Sequence, residues 1–151
     1  MAKILIVYHS QTNNTHKMAC AVADGAKSIE DTSVRILCAG NANANDLLWA
    51  DGIIIGSPEN FGYMAGMLKD FFDRSFYTVD DKLFRKPYAV FISAGNDGTG
   101  AQNAIEKIAI GLKLKKIAEP IIAKGNISEE ILEDCFQLGA TLSAGCEMGI
   151  F

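Results

Sequence analysis

A chain of 151 residues can build one hydrophobic core that removes roughly 68 to 70% of its unfolded surface from water, and one domain is the expectation. Its 49% hydrophobic and 21% charged content, with only three prolines, excludes a disordered or low-complexity chain. A net charge of -4 and a pI near 5.1 argue against nucleic acid as the main partner, because binding a phosphate backbone needs a basic patch.

The first strand is expected over Lys3 to Tyr8. This apolar run is far shorter than a membrane span or a secretory signal with its cleavage site, so a cytoplasmic protein with no membrane partner is expected. The turn Ser10-Gln11-Thr12-Asn13-Asn14-Thr15 follows, rich in hydroxyls and amides and free of Lys and Arg. It leads into a helix over about Thr15 to Ile29, with Met18, Val22, Ala26 and Ile29 on one face and Ala19 and Ala23 small enough for close approach to a sheet. A helix N-terminus presents unpaired N–H groups and a partial positive charge, enough to hold a phosphate without a cation. A mononucleotide cradle and an ordinary capped turn are both open at this point.

Ser33 to Cys38 alternates, which suits an edge strand, and an Asn-rich segment after it is expected as loop. Asp51 to Pro58 is a continuous apolar run that ends in turn residues, the pattern of a parallel strand buried on both faces. Met64, Met67, Leu68, Phe71 and Phe72 then recur at helical spacing as a core stripe. Pro87 to Ser93 gives a further buried strand, and Ala101 to Leu112 a helix with Ala104, Ile105, Ile108 and Leu112 toward the core. Lys113, Lys115 and Lys116 suit a solvated helix end. Lys116 to Ala123 is the fifth strand, placed at an edge by Pro120, which cannot donate a ladder hydrogen bond. The last helix begins after Ser128, a good N-cap, with Glu129 and Glu130 in its first turn, and runs to about Cys146.

Five strands separated by helices predict right-handed βαβ units, a parallel sheet covered on both faces, and a three-layer α/β sandwich. Two strands want edges and three are uniformly apolar, which the order 2-1-3-4-5 satisfies. Its switch point lies between strands one and three, and ligands bind outside the carboxyl ends of the strands there. The turn at Ser10 to Thr15, the loop Ser57 to Tyr63 and the loop Ala94 to Gly100 converge at that end. Cys20, Cys38, Cys135 and Cys146 have neither zinc nor disulfide spacing, so no metal is expected and the thiols are expected reduced and mostly buried. His16 sits in a first helical turn, where the dipole disfavours its charged form, and a neutral packing or hydrogen-bonding role is expected; His9 is expected beside the ligand.

Ser10-Gln11-Thr12-Asn13-Asn14-Thr15 resembles the phosphate loop of flavodoxins, and Asp51 to Pro58 resembles their third strand. The resemblance spans the chain. Gly56-Ser57-Pro58-Glu59-Asn60-Phe61-Gly62-Tyr63-Met64-Ala65-Gly66-Met67-Leu68-Lys69-Asp70-Phe71 is more similar to NAD(P)H:quinone oxidoreductases of the WrbA type and related FMN reductases. It implies a flavodoxin-like fold and an FMN flavoprotein, with NAD(P)H as co-substrate and a quinone or similar acceptor. A flavodoxin-type electron carrier that docks on partner redox proteins is the alternative. The resemblance also admits a homo-oligomer built around the flavin sites.

The implied cofactor site divides by loop. Ser10, Thr12 and Thr15 offer hydroxyls and the N–H groups from Gln11 through Asn13 and Asn14 to Thr15 offer the rest of a phosphate shell. Ser57, Pro58, Glu59, Asn60, Phe61 and Gly62 supply backbone amides near the redox-active edge, with Phe61 or Tyr63 as a wall for the ring; Phe61 equally suits a plain core aromatic. Ser93, Ala94, Gly95, Asn96, Asp97 and Gly98 allow close approach of backbone to the ring, with Asn96 or Asp97 meeting its pyrimidine end, although glycine there also suits a simple turn. No side chain is expected to be catalytic, since the flavin carries the chemistry.

Two departures matter. Flavodoxins usually stack an aromatic from the third loop on the flavin, and Ser93 to Gly98 has none, which leaves a face open to a nicotinamide or quinone. Glu59 stands where the quinone reductases commonly have an arginine or an aromatic. Other doubly wound readings fail. A receiver needs acidic residues where Tyr8-His9 and Gly56-Ser57 stand, a small phosphatase needs Cys and Arg about its loop, and a Walker A or dinucleotide fingerprint needs glycines after the first strand.

Overall fold

The computed structural model describes residues Met1–Phe151. In chain order it runs β1 (Ala2–Tyr8), α1 (Asn14–Lys27), β2 (Thr32–Cys38), a short 3-10 turn (Ala39–Asn41), α2 (Ala44–Trp49), β3 (Gly52–Asn60), β4 (Tyr63–Met64), α3 (Gly66–Val79), β5 (Pro87–Ala94), α4 (Thr99–Gly111), β6 (Lys115–Lys116), β7 (Ile121–Lys124) and α5 (Glu129–Glu147).

The sheet path is β2-β1-β3-β5-β6, with β7 also on β5 and every one of these pairings parallel. This is the expected order with the fifth position in two pieces. β6 pairs with Pro87 and Tyr88, and β7 resumes opposite Phe91 to Ala94. The continuous strand expected over Lys116 to Ala123 is therefore corrected: Pro120, with no N–H to give, falls in the gap between the pieces. β4 is a further addition, a two-residue antiparallel return on the end of β3.

Apolar strands β1, β3 and β5 lie at the centre of the sheet because both of their faces are covered. Leu5, Val7, Ile53, Ile55, Val90 and Ile92 join Leu68, Phe71 and Ile105 in a core of 22 buried residues against α3 and α4. Ile4, Ile6, Ile54 and Phe91 join Met18, Val22, Leu138 and Leu142 in a second core of 15 under α1 and α5. Met18, Ala19, Val22, Ala23 and Ala26 of α1 are buried as expected, whereas Ile29 lies past the helix end and is only partly covered. Met67 leaves the expected stripe and is 43% exposed, while Met64, Leu68, Phe71 and Phe72 are buried.

The Asn-rich segment expected as loop contains α2. Asn43 caps it, accepting from Asn45 N–H at 2.9 Å, and Asp46 returns the bond by accepting from Asn43 N–H at 2.9 Å. This reciprocal arrangement is a capping box, which satisfies donors a six-residue helix would otherwise leave to water. Arg35 fixes the helix to β2 through Asp46 at 2.9 Å and lies 4.0 Å over the Trp49 ring. At the other end Lys86 Nζ donates to the carbonyls of Leu47 and Leu48 at 3.0 Å, and burial holds its ammonium below the usual lysine range.

Cys135 is buried and Cys146 partly so, but Cys20 and Cys38 are exposed, against the expectation of mostly buried thiols. Cys20 lies on the outer face of α1, and Cys38 is the last residue of the edge strand β2. The lysines after α4 reach acidic neighbours, Lys113 to Asp81 at 2.6 Å and Lys116 to Glu106 at 3.0 Å. No helix is long and apolar enough to cross a membrane.

Candidate functional site

The carboxyl ends of the central strands open into a cleft of about 540 Å³, within the range of small-molecule sites. It is lined by Gln11, Thr12 and Asn14 of the first loop, Pro58, Glu59 and Asn60 of the second, and Ser93, Ala94 and Gly95 of the third. No Lys, Arg, His or Cys is among the lining residues. The structure thus brings half of the expected site residues to one cavity, three from each loop.

At the first loop, α1 begins after Asn13, which takes left-handed φ 78° and gives no side-chain cap. Asn tolerates that conformation better than most residues. Ser10 Oγ accepts the His16 N–H at 3.1 Å, so one donor of the first turn is satisfied within the chain. The N–H groups of Asn14 and Thr15 have no protein acceptor. Those two donors, with the positive end of the helix dipole behind them, are an anion position that the fold itself leaves open. The Thr15 side chain does not face it. Thr15 Oγ1 is buried against Ser93 Oγ at 2.8 Å, which ties the first loop to the third and leaves the Thr15 backbone to serve the cleft.

The second loop is a β-hairpin. Glu59 pairs with Met64 and Asn60 with Tyr63, and Phe61 and Gly62 form the two-residue connection with φ 52° and 70°. Two successive left-handed residues are what a tight type I′ turn requires. Glycine meets that demand without strain; Phe61 meets it at a cost of about 1 to 2 kcal/mol. Phe61 is fully exposed at the tip, so it is neither a core aromatic nor part of the cleft wall, and Tyr63 is 44% exposed. Ser57 is fully buried and builds the hairpin from within: its hydroxyl donates to Pro58 O at 2.7 Å and accepts the N–H of Ala65, the N-cap of α3, at 2.9 Å. Asn60 Nδ2 reaches Gln11 Oε1 at 3.4 Å, a weak bridge to the first loop.

Glu59 acts across the cleft. Its carboxylate accepts from the N–H groups of Gly98 at 3.0 Å, Gly100 at 2.9 Å and Ala101 at 3.2 Å, at the N-terminus of α4. Gly98, with φ 92°, is the N-cap of α4 and has no side chain to do this itself. A Cβ on Gly100 would lie 2.1 Å from Gly62 O, so hairpin tip and helix meet backbone to backbone. Asn96 and Asp97 are exposed and stand outside the cleft, where Asp97 accepts from the Thr99 hydroxyl at 2.6 Å. Ser10, Asn13, Thr15, Ser57, Phe61, Gly62 and Gly98 also fall outside the lining.

Gly125 and Asn126 line the cleft and were not among the expected residues. They follow β7, and Gly125 N–H donates to Ala94 O at 2.9 Å with φ 77°. The rule that ligands gather at the carboxyl ends of strands covers the fifth strand too, and applied there it finds them. His9 stays outside the lining, its N–H on Gly56 O at 3.2 Å. His16 takes the expected hydrogen-bonding role, Nδ1 at 2.8 Å from the Tyr8 hydroxyl.

The family model of the NADPH-dependent FMN reductases matches residues 39–128. A flavodoxin of Aquifex aeolicus is 34% identical over 159 aligned positions, covering 95% of this chain and 86% of the relative. An NAD(P)H dehydrogenase (quinone) of Acidithiobacillus ferrooxidans is 29% identical over 70% of this chain and 63% of its own length, so the chain spans less than two thirds of that relative. Among solved structures, an archaeal flavodoxin superposes with a TM-score of 0.84 at 22% identity, over 96% of this chain and 99% of that one.

Proposed function

We propose, on the premise that this chain belongs to the flavodoxin-like superfamily and to its NADPH-dependent FMN reductase family, that it is an FMN-binding oxidoreductase passing electrons from NAD(P)H to a quinone or similar small-molecule acceptor. The observation that carries the reading is the pair of unpaired N–H groups at Asn14 and Thr15, opening into a cation-free cleft of mononucleotide size. A phosphate held there is an anchor, because no cation is present to draw charge from a group in transfer.

The residues divide the work. The N–H groups of Asn14 and Thr15 and the hydroxyl of Thr12 hold the phosphate; Pro58, Glu59 and Asn60 form one flank for the ring, and Ser93, Ala94, Gly95, Gly125 and Asn126 the opposite side. FMN, when bound, supplies the redox chemistry that no lining side chain offers. The chain's part is orientation: Thr15 to Ser93, Asn60 to Gln11 and Glu59 to α4 each join two loops, so the cleft is set before ligand arrives. With no aromatic between Ser93 and Gly98, nothing from the third loop covers the ring, and a second flat molecule has room to stack.

A flavodoxin-type carrier is the second reading, favoured by one observation. Phe61 stands fully exposed at the hairpin tip beside the cleft, an apolar contact that suits a partner protein better than a small acceptor. Two experiments decide. The purified protein should be yellow and release FMN on denaturation, and a colourless protein that ignores added FMN sinks both readings. Anaerobic titration then separates them: rapid reduction by NAD(P)H with quinone turnover marks the reductase, and slow reduction by NAD(P)H with two well-separated one-electron stages marks the carrier.

A further inference from the structure

Outside the cleft, four side chains form a hydrogen-bonded line across β1, α1 and β2. Cys20 Sγ lies 3.5 Å from His16 Nε2, His16 Nδ1 lies 2.8 Å from the Tyr8 hydroxyl, and Cys38 Sγ donates to that hydroxyl at 3.7 Å. Cys20 and His16 are four residues apart on one helix and therefore on the same face. Both are exposed, and so is Cys38, while Tyr8 is buried.

The other two thiols make a built-in contrast. Burial pushes Cys135 up to about 12 and Cys146 up to about 11, which leaves both protonated and poorly nucleophilic at neutral pH. Neither has a base within hydrogen-bond reach. Cys38 is exposed but faces a phenol, and a phenol held at about 12, first by burial and then by the Cys38 thiol, accepts no proton at neutral pH. Of the four, Cys20 alone combines access to solvent with an imidazole nitrogen beside the sulfur.

We propose that Cys20 is a modification site: His16 takes its proton, and the sulfur exchanges with low-molecular-weight disulfides to form a mixed disulfide. In that step Cys20 Sγ attacks one sulfur of the incoming disulfide. A new S–S bond forms as the old one breaks, and the departing thiolate receives the proton His16 took. Cys20 is oxidised, half of the disulfide is reduced to thiol, and no further oxidant is required. Tyr8 completes the arrangement, since its hydroxyl oxygen accepts the Nδ1–H of the imidazolium and fixes the ring with Nε2 toward sulfur.

The test is stopped-flow exchange of the purified protein with dithionitrobenzoate at pH 7, with peptide mapping of the first adduct. The first thiol to react is expected to be Cys20, about fivefold faster than free cysteine. Cys20→Ser is expected to remove that phase, His16→Gln to slow it to the free-cysteine rate, and Cys38→Ser to leave it in place. Both helix substitutions are at exposed positions, and circular dichroism checks that the fold is kept. A first adduct elsewhere, or a Cys20 rate unchanged within a factor of two by His16→Gln, overturns the assignment. The readout is the same for a yellow or a colourless protein, so it fails independently of the flavin reading.

Discussion

Helices α1 and α4 both begin at the cleft after a left-handed residue, Asn13 and Gly98, and neither N-cap residue caps its helix with its own side chain. They end up in opposite electrostatic states. The N-terminus of α4 is occupied by the Glu59 carboxylate, which takes the N–H groups of Gly98, Gly100 and Ala101, while the N-terminus of α1 has no carboxylate on it and keeps the N–H groups of Asn14 and Thr15 free. An anion entering the cleft therefore meets one available helix dipole instead of two. On the proposed reading that difference would orient the ligand, with its phosphate at α1 and its uncharged part toward Glu59.

The largest test of this contrast removes the anion. Riboflavin, which lacks the phosphate, should bind about 100-fold more weakly than FMN, or about 2.7 kcal/mol, by fluorescence titration. Equal affinities within threefold would show that the open turn of α1 is not the anchor. Emptying the filled helix comes next. Glu59→Ala should cost the flavin-free protein about 2 kcal/mol in urea unfolding and Glu59→Gln about 1, because the amide keeps one acceptor oxygen and loses the charge. An unchanged midpoint for both would mean the carboxylate contributes nothing at α4. Gly100→Ala drives a methyl into Gly62 O and should cost about 1.5 kcal/mol, read in the same assay, with weaker FMN binding as hairpin and helix separate. The smallest effect has the opposite sign. Phe61→Asn places a residue tolerant of left-handed φ at the turn, and should raise the melting temperature by about 1 to 2 °C, near 0.5 kcal/mol. A fall in melting temperature would show that the exposed ring stabilises the free protein.

Much of the fold was legible because the signals were local and repeated. β1, β3 and β5 announce themselves as unbroken apolar runs, α1 by its period and α5 by its Ser128 cap. α2 was hidden because three asparagines among six residues read as turn chemistry, although Asn43 followed by Asp46 is itself a capping signal. The fifth strand was found as a position and missed as a shape. Pro120 was expected to place this strand at the sheet edge, which is where both pieces lie, but the break itself falls opposite an unbroken β5, between Tyr88 and Phe91.

The site divides in the same way. Ser10 to Thr15 could be recognised as an anion turn because strand, turn and helix are contiguous, and their N–H groups point where the helix axis dictates. Which side chains in it face the cleft was decided elsewhere, since Thr15 is claimed by Ser93, 78 positions away. Glu59 stood out as a departure from the family and proved to be a cap for a helix that starts 40 residues later; no local rule links the two.

By itself, then, the sequence determined the alternation of the main strands and helices, the parallel sheet with its switch point, and the turn proposed to hold a phosphate, because each follows from period, turn chemistry and chain direction within a few residues. The tertiary structure alone decided which helix end is filled and which is open, that Phe61 points into solvent, and that Cys20 and His16 meet in a line that reaches Tyr8 and Cys38. Those are outcomes of long-range pairing, where a donor's partner is whichever acceptor the packed sheet carries to it.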